Sequence, residues 1–133
     1  MKKNLIRLNI GVCIVVLMLI CTVYAYNYKF SFDMNTGVFH GAAYSGVAYK
    51  YTKAEPPVLR VDNVESKVRM NFVVVNSDGA SRTGVVTTRS KGNWVFPNDS
   101  TAQNYQYRLK AWTDDGNFYN RYNVTGAWNP DSY

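Results

Sequence analysis

Apolar and polar residues alternate with a period of two along much of this chain, the spacing of strands whose two faces meet different surroundings. Tyr26, Tyr28, Phe30 and Phe32 alternate with Asn27, Lys29, Ser31 and Asp33, and Val47, Tyr49 and Tyr51 alternate with Ala48, Lys50 and Thr52. Val68, Met70, Phe72 and Val74 form the cleanest apolar face, opposite Lys67, Arg69 and Asn71. Tyr105, Tyr107, Leu109 and Ala111 repeat the arrangement against Gln106, Arg108 and Lys110. Almost no segment of this region carries the 3.6-residue repeat of an amphipathic helix.

Turn chemistry links these segments. Asn76-Ser77-Asp78-Gly79 predicts a hairpin between the Val68 strand and a strand over 83–88, because Asp-Gly tolerates positive φ. Asp114-Asp115-Gly116-Asn117 predicts a second hairpin, joining the Tyr105 strand to one over 118–124. Residues 33–45 hold two glycines, Gly37 and Gly41, and read as a flexible loop, and Pro56-Pro57 marks a strand boundary because neither proline donates to a ladder. Residues 90–101, with Trp94 and Phe96, form a long connection that passes between sheets or covers an open edge, and residues 129–133 read as an exposed tail. The expected fold is all-β, a small antiparallel β-sandwich or open barrel of six to seven strands. An exposed strand over 83–88 is a candidate for pairing with a second copy.

The N-terminus breaks the pattern. Lys2, Lys3 and Arg7 precede an apolar run from Ile10 to Cys21, and Val23-Tyr24-Ala25 offers compact residues at the −3 and −1 positions of a signal-peptidase site. The expected organisation is a hydrophobic signal helix over 1–25, cleaved between Ala25 and Tyr26, followed by one β-domain over 26–133. Lipidation is disfavoured because Val12 and Ile20 are too large before Cys13 and Cys21. The alternative is a retained membrane anchor over residues 8–25, which approaches the roughly 20 apolar residues of a span.

Removing residues 1–25 changes the composition. Both cysteines leave, so a secreted domain of 108 residues folds without disulfides, which fits export from a Gram-positive cell better than a eukaryotic secretory route. Fifteen basic residues fall to twelve against nine acidic ones, a net charge of +3. That excess suits an anionic envelope surface. Without a basic run or an arginine cluster, nucleic acid is not an expected partner.

Chemistry is sparse. His40 is the single histidine and sits in a glycine-rich stretch without the context of a nucleophilic triad; one histidine and no cysteine also make a zinc site untenable. Glu55 and Glu65 are the only glutamates, and Asp114 and Asp115 sit where turns use aspartate. Asp33-Met34-Asn35-Thr36-Gly37 begins like a calcium loop but has Val38 where glycine is required and lacks the closing glutamate. Asn98-Asp99-Ser100 and Asn123-Val124-Thr125 match the glycosylation acceptor pattern, which matters only in a host with that pathway. No enzymatic activity, metal or cofactor is expected.

Aromatic residues are the unusual feature, with ten tyrosines, six phenylalanines and three tryptophans in 26–133. Most take the inward parity of their strand. Trp112 shares parity with Arg108 and Lys110, Tyr119 falls beside Arg121 and opposite Phe118 and Tyr122, and Trp94 lies in the long connection. Trp94, Arg108, Lys110, Trp112, Tyr119 and Arg121 therefore form the candidate binding surface, an aromatic–guanidinium set able to stack on a sugar ring. The competing expectation is that the second sheet or the long connection covers these rings.

Tyr105-x-Tyr107-Arg108-Leu109-Lys110-x-Trp112, followed by Gly126-x-Trp128-Asn129-Pro130-Asp131-Ser132, resembles small secreted proteins of Gram-positive bacteria that end in Gly-x-Trp-Ser-Pro-Asp-Ser. Asn129 replaces the serine usual there, and Tyr133 extends the end. The resemblance covers about a quarter of the chain, a family of unknown function, and implies export, an all-β domain and a fold-closing role for Trp128 and Pro130. The leading expectation is a secreted non-enzymatic domain that binds wall glycan, another envelope component or a protein. A bacteriocin-like effector acting on target-cell membranes is the alternative, and a small hydrolase resting on Glu55 or Glu65 a remote third.

Overall fold

The computed structural model describes residues 27–35, 41–114 and 121–132. The expected signal helix, its Ala25–Tyr26 cleavage site and the alternative anchor over 8–25 all lie outside these residues. Among the described residues, no helix is long and apolar enough to cross a membrane.

The described residues are all-β, with two antiparallel sheets packed face to face. Nine strands occur among the described residues: β1 (Tyr28–Asn35), β2 (Ala43–Tyr44), β3 (Ala48–Tyr49), β4 (Val58–Val64), β5 (Met70–Val75), β6 (Val86–Thr88), β7 (Gly92–Val95), β8 (Gln106–Thr113) and β9 (Arg121–Asn129). Sheet A has the order β1-β9-β4-β7; sheet B has the order β2-β8-β5-β6, with β3 also pairing β8. The expected six to seven strands become nine because β2 and β3 are two-residue pieces and β7 forms inside the long 90–101 connection.

The core sits between the sheets. Sheet A supplies Phe30, Phe32, Leu59, Val61, Val124 and Trp128, and sheet B supplies Met70, Phe72, Val74, Tyr107, Leu109 and Ala111. The parity predicted for Val68, Met70, Phe72 and Val74 therefore holds, and so does that of Tyr107, Leu109 and Ala111. β5 is buried along its whole length, because β8 and β6 flank it and Val73 and Val75 are covered even on the outer face.

Two local features fix the middle of sheet A. The register between β4 and β9 shifts between Val61 and Asn63, which leaves Asp62 as the extra residue of a bulge. Beside it, Gly126 lies where an added Cβ would fall 2.1 Å from the Arg60 carbonyl oxygen and 2.8 Å from Phe30 Cζ. Only a residue without a side chain admits that approach.

Four expectations are corrected. The face of Val47, Tyr49 and Tyr51 is not the inward one: Ala48 and Lys50 are fully buried, whereas Val47 and Tyr51 are exposed. Burial of Lys50 is possible because its Nζ donates to the carbonyls of Glu55 and Pro130, the latter at 2.7 Å, and lies 3.6 Å from Asp131 Oδ1. The tail is not exposed, since Asn129, Pro130 and Asp131 are buried. Asp131 accepts bonds from Tyr51 N (2.9 Å), Thr52 N (2.9 Å) and Thr52 Oγ1 (2.6 Å).

The third correction concerns the Asp114–Asn117 turn. β8 lies in sheet B and β9 in sheet A, so the segment between them crosses from one sheet to the other instead of closing a hairpin. The Asn76–Gly79 turn is a true reversal: Gly79 has φ 80°, its N–H donates to Asn76 O at 3.1 Å, and Asn76 N donates to Ala80 O. The fourth is the strand after it, which starts at Val86 and not Thr83, because Thr83 Oγ1 takes over as acceptor for Val74 N at 3.1 Å.

Candidate functional site

Sheet B carries its chemistry on the outer face of β8. With Tyr107, Leu109 and Ala111 in the core, alternation turns Gln106, Arg108, Lys110 and Trp112 outward. β2 pairs with β8 so that Tyr44 stands directly opposite Lys110. Lys110 Nζ lies 6.0 Å from the centroid of the Tyr44 ring and 5.5 Å from that of Trp112. Both distances are within the range of cation–π attraction, so one ammonium is held between two rings. On the other side of β8, Arg108 is paired with Val75 and Lys110 with Val73, which puts long aliphatic stems over the buried valines of β5.

The two outer faces differ in charge. On sheet A, Arg60 pairs with Asp62 (2.9 Å), Arg121 with Asp33 (3.3 Å), and Glu65 accepts from Asn123 N at 2.8 Å. Cations and carboxylates there cancel. On sheet B, no carboxylate among the described residues pairs with Arg108 or Lys110, and Asp114 at the end of β8 is engaged by Asn71 Nδ2 at 2.8 Å. Sheet B thus presents aromatic rings and unneutralised positive charge together.

The predicted surface is divided by this arrangement. Arg108, Lys110 and Trp112 come together on sheet B, joined by Tyr44. Trp94 is on the other sheet, half-buried on the edge strand β7 and packed against the core, opposite Leu59. Its ring lies over Gly92, where an added Cβ would meet it at 2.6 Å. Arg121 is on the outer face of sheet A, tied to Asp33. Tyr119 lies outside the described residues. Tyr44 was absent from the sequence-based set because it sits in the glycine-bearing stretch with no alternation around it.

The candidates for other chemistry are dispersed. His40 and Asp115 lie outside the described residues. Glu65 is bound to the β9 backbone, and Glu55 contributes its carbonyl to Lys50. Asp33, the first residue of the calcium-like loop, pairs with Arg121. Among the described residues, no group of three or more His, Cys, Asp or Glu side chains converges as a metal site would require.

The Asp131 carboxyl has a shifted titration. Burial pushes it up, but the Thr52 hydroxyl, the Tyr51 and Thr52 amides and the charge of Lys50 together outweigh burial and hold it below the usual carboxylate range. Those contacts join the C-terminal segment to the 50–52 loop, a structural task. They account for the Trp128-Asn129-Pro130-Asp131 run: Trp128 is fully buried against Tyr28, Pro130 supplies a carbonyl to Lys50, and Asp131 closes the loop. No family model matches the chain, and comparison with curated proteins and with solved structures gives no match.

Proposed function

We propose that the chain is exported and acts as a non-enzymatic binding domain for an anionic polymer of the cell envelope, held on the outer face of sheet B. The observation that carries this is Lys110 between Tyr44 and Trp112, with Arg108 further along the strand and no carboxylate among the described residues neutralising either cation. From Gln106 to Trp112 the strand spans about 20 Å, enough for several units of an extended chain to lie along it. Aromatic rings offer faces to sugar or glycerol units, and the cations offer charge to phosphate or carboxylate groups. The neutral, self-paired face of sheet A serves as the internal contrast.

Replacing Trp112 or Tyr44 by alanine is expected to weaken retention on purified envelope fragments by roughly tenfold, the effect of losing one ring contact of about 1–2 kcal/mol. Removing the polyanion from the fragments beforehand should have a similar effect on the unaltered protein, and raising the salt concentration should weaken binding further. Arg121→Ala, on the other sheet, should bind normally. Equal retention of Trp112→Ala and the unaltered protein in a pull-down would remove sheet B from consideration.

A further inference from the structure

A recessed surface lies at one end of sheet B, beside the outer face of β8, with which it shares Gln106. Here the 76–82 turn and the 100–105 loop rise past the strands and enclose an open cleft of about 600 Å³, within the size range of small-molecule sites. Asn76, Asp78, Arg82, Ser100, Tyr105 and Gln106 contribute to its lining. The loops around it are fixed by their own backbones. Arg82 N donates to Val74 O at 2.8 Å, and Arg82 O accepts from both Ser100 N (2.7 Å) and Ser100 Oγ (2.8 Å). Tyr107 Oη accepts from Ala102 N at 2.7 Å and donates to Ala102 O, which ties the second loop to the core strand.

Against this fixed frame, the polar side chains retain unused capacity. The half-buried Arg82 guanidinium has no acceptor among the described residues, and neither does the Gln106 amide. Asn76 Oδ1 accepts from Ala80 N at 2.8 Å, which leaves its amino group available. Asp78 has only a long contact of 3.4 Å from Ser77 Oγ. Tyr105, 63 % exposed, stands at the rim with its ring face open.

We infer that this cleft binds an uncharged saccharide. One cation and one carboxylate make the lining neutral as a whole, which argues against an anion or cation as ligand. Donors and acceptors lie side by side, and a sugar hydroxyl both donates and accepts. Arg82 and Asp78 supply charge-assisted bonds, and Tyr105 supplies a surface for the apolar face of a pyranose ring. This site goes beyond the polyanion-binding face and does not depend on it.

The test uses protein recovered from the producing cells, titrated calorimetrically with cellotetraose, maltotetraose and the tetramer of N-acetylglucosamine, and separately with inorganic phosphate. At least one tetrasaccharide should bind with a Kd of about a millimolar or below. Arg82→Gln and Tyr105→Ala should each weaken it by about tenfold or more, while Trp112→Ala leaves it unchanged. Tyr105 is exposed, so its truncation does not threaten folding and decides the matter if Arg82→Gln is unstable. Absence of binding by all three sugars at about 10 mM would overturn the inference. So would binding indifferent to Tyr105, or phosphate binding that depends on Arg82 when the sugars do not bind. Loss of sugar binding on changing Trp112 alone would move the site to the outer face of sheet B.

Discussion

Alanine in place of Gly126 is expected to lower the melting temperature by about 15 °C or more, a single methyl with one of the largest effects available in the molecule. The Cβ would lie 2.1 Å from the Arg60 carbonyl oxygen, and backbone of a neighbouring strand cannot move aside as a side-chain tip can. Relief requires β9 to separate from β4 in the middle of sheet A, next to the bulge at Asp62 and directly under Phe30. Overpacking of this kind costs about 3 kcal/mol, a large share of the stability of a small domain. Gly92→Ala is the matched control. Its Cβ meets the Trp94 ring, which sits on the edge strand β7 and can swing outward, so a loss of about 1 kcal/mol is expected. Thermal unfolding followed by near-ultraviolet circular dichroism compares the two; equal losses would show that the close approach of β4 to Gly126 does not govern stability.

The second large effect lies at the C-terminal clamp. Asp131→Ala should cost about 3–5 kcal/mol, because it removes the acceptor for three donors of Tyr51 and Thr52 and leaves the Lys50 ammonium buried beside no carboxylate. Lys50→Met should cost less, about 1–3 kcal/mol, since Asp131 keeps its three hydrogen bonds and only two carbonyls lose a donor. The pH dependence has a definite sign. The carboxyl is held below its ordinary value of about 3.9 in the folded chain, so the unfolded chain takes up its proton first as the solution is acidified. The contribution of Asp131 is therefore complete above about pH 4 and disappears as the pH falls through the lower folded value. Urea denaturation at pH 7 and near pH 3 should show the gap between unaltered protein and Asp131→Ala narrowing in acid. A constant gap would mean that the carboxylate charge plays no part in the clamp.

Local alternation was enough to read the inner faces of β5 and β8, because their inward positions are apolar while Lys67 and Arg69 lead into β5 and Gln106, Arg108 and Lys110 stand on the outside of β8. The same signal failed at residues 47–51, where it shows that two faces differ but not which one is buried. The decision there belongs to Lys50, and its partner Asp131 is 81 positions away in sequence. Turn chemistry has a similar reach: Asp114 to Asn117 announces a reversal, but nothing within four residues says that the next strand joins the opposite sheet. The chain end looked exposed because proline and aspartate are common in loose tails, whereas here Pro130 and Asp131 are bound by groups from the 50–55 segment. For the candidate surface, the parity of one strand placed Arg108, Lys110 and Trp112 side by side. Tyr44 reaches them only through the two-residue ladder of β2, and the Arg82 cleft is assembled from loops whose separation in sequence hides their proximity.

The pairing of β1 with β9 runs in register from Tyr28 opposite Trp128 to Asn35 opposite Arg121, and among the described strands β9 is the one ladder partner of β1. β1 therefore gains its ladder partner only after every other described strand has been synthesised. Pairing over such a separation is slow as well as late, since a long loop must close before the first contact is rewarded. Until then sheet A cannot close, because β9 lies between β1 and β4. Completion of sheet A, and with it insertion of Trp128 and fastening of Asp131, therefore waits on β9, so the topology itself acts as the timer.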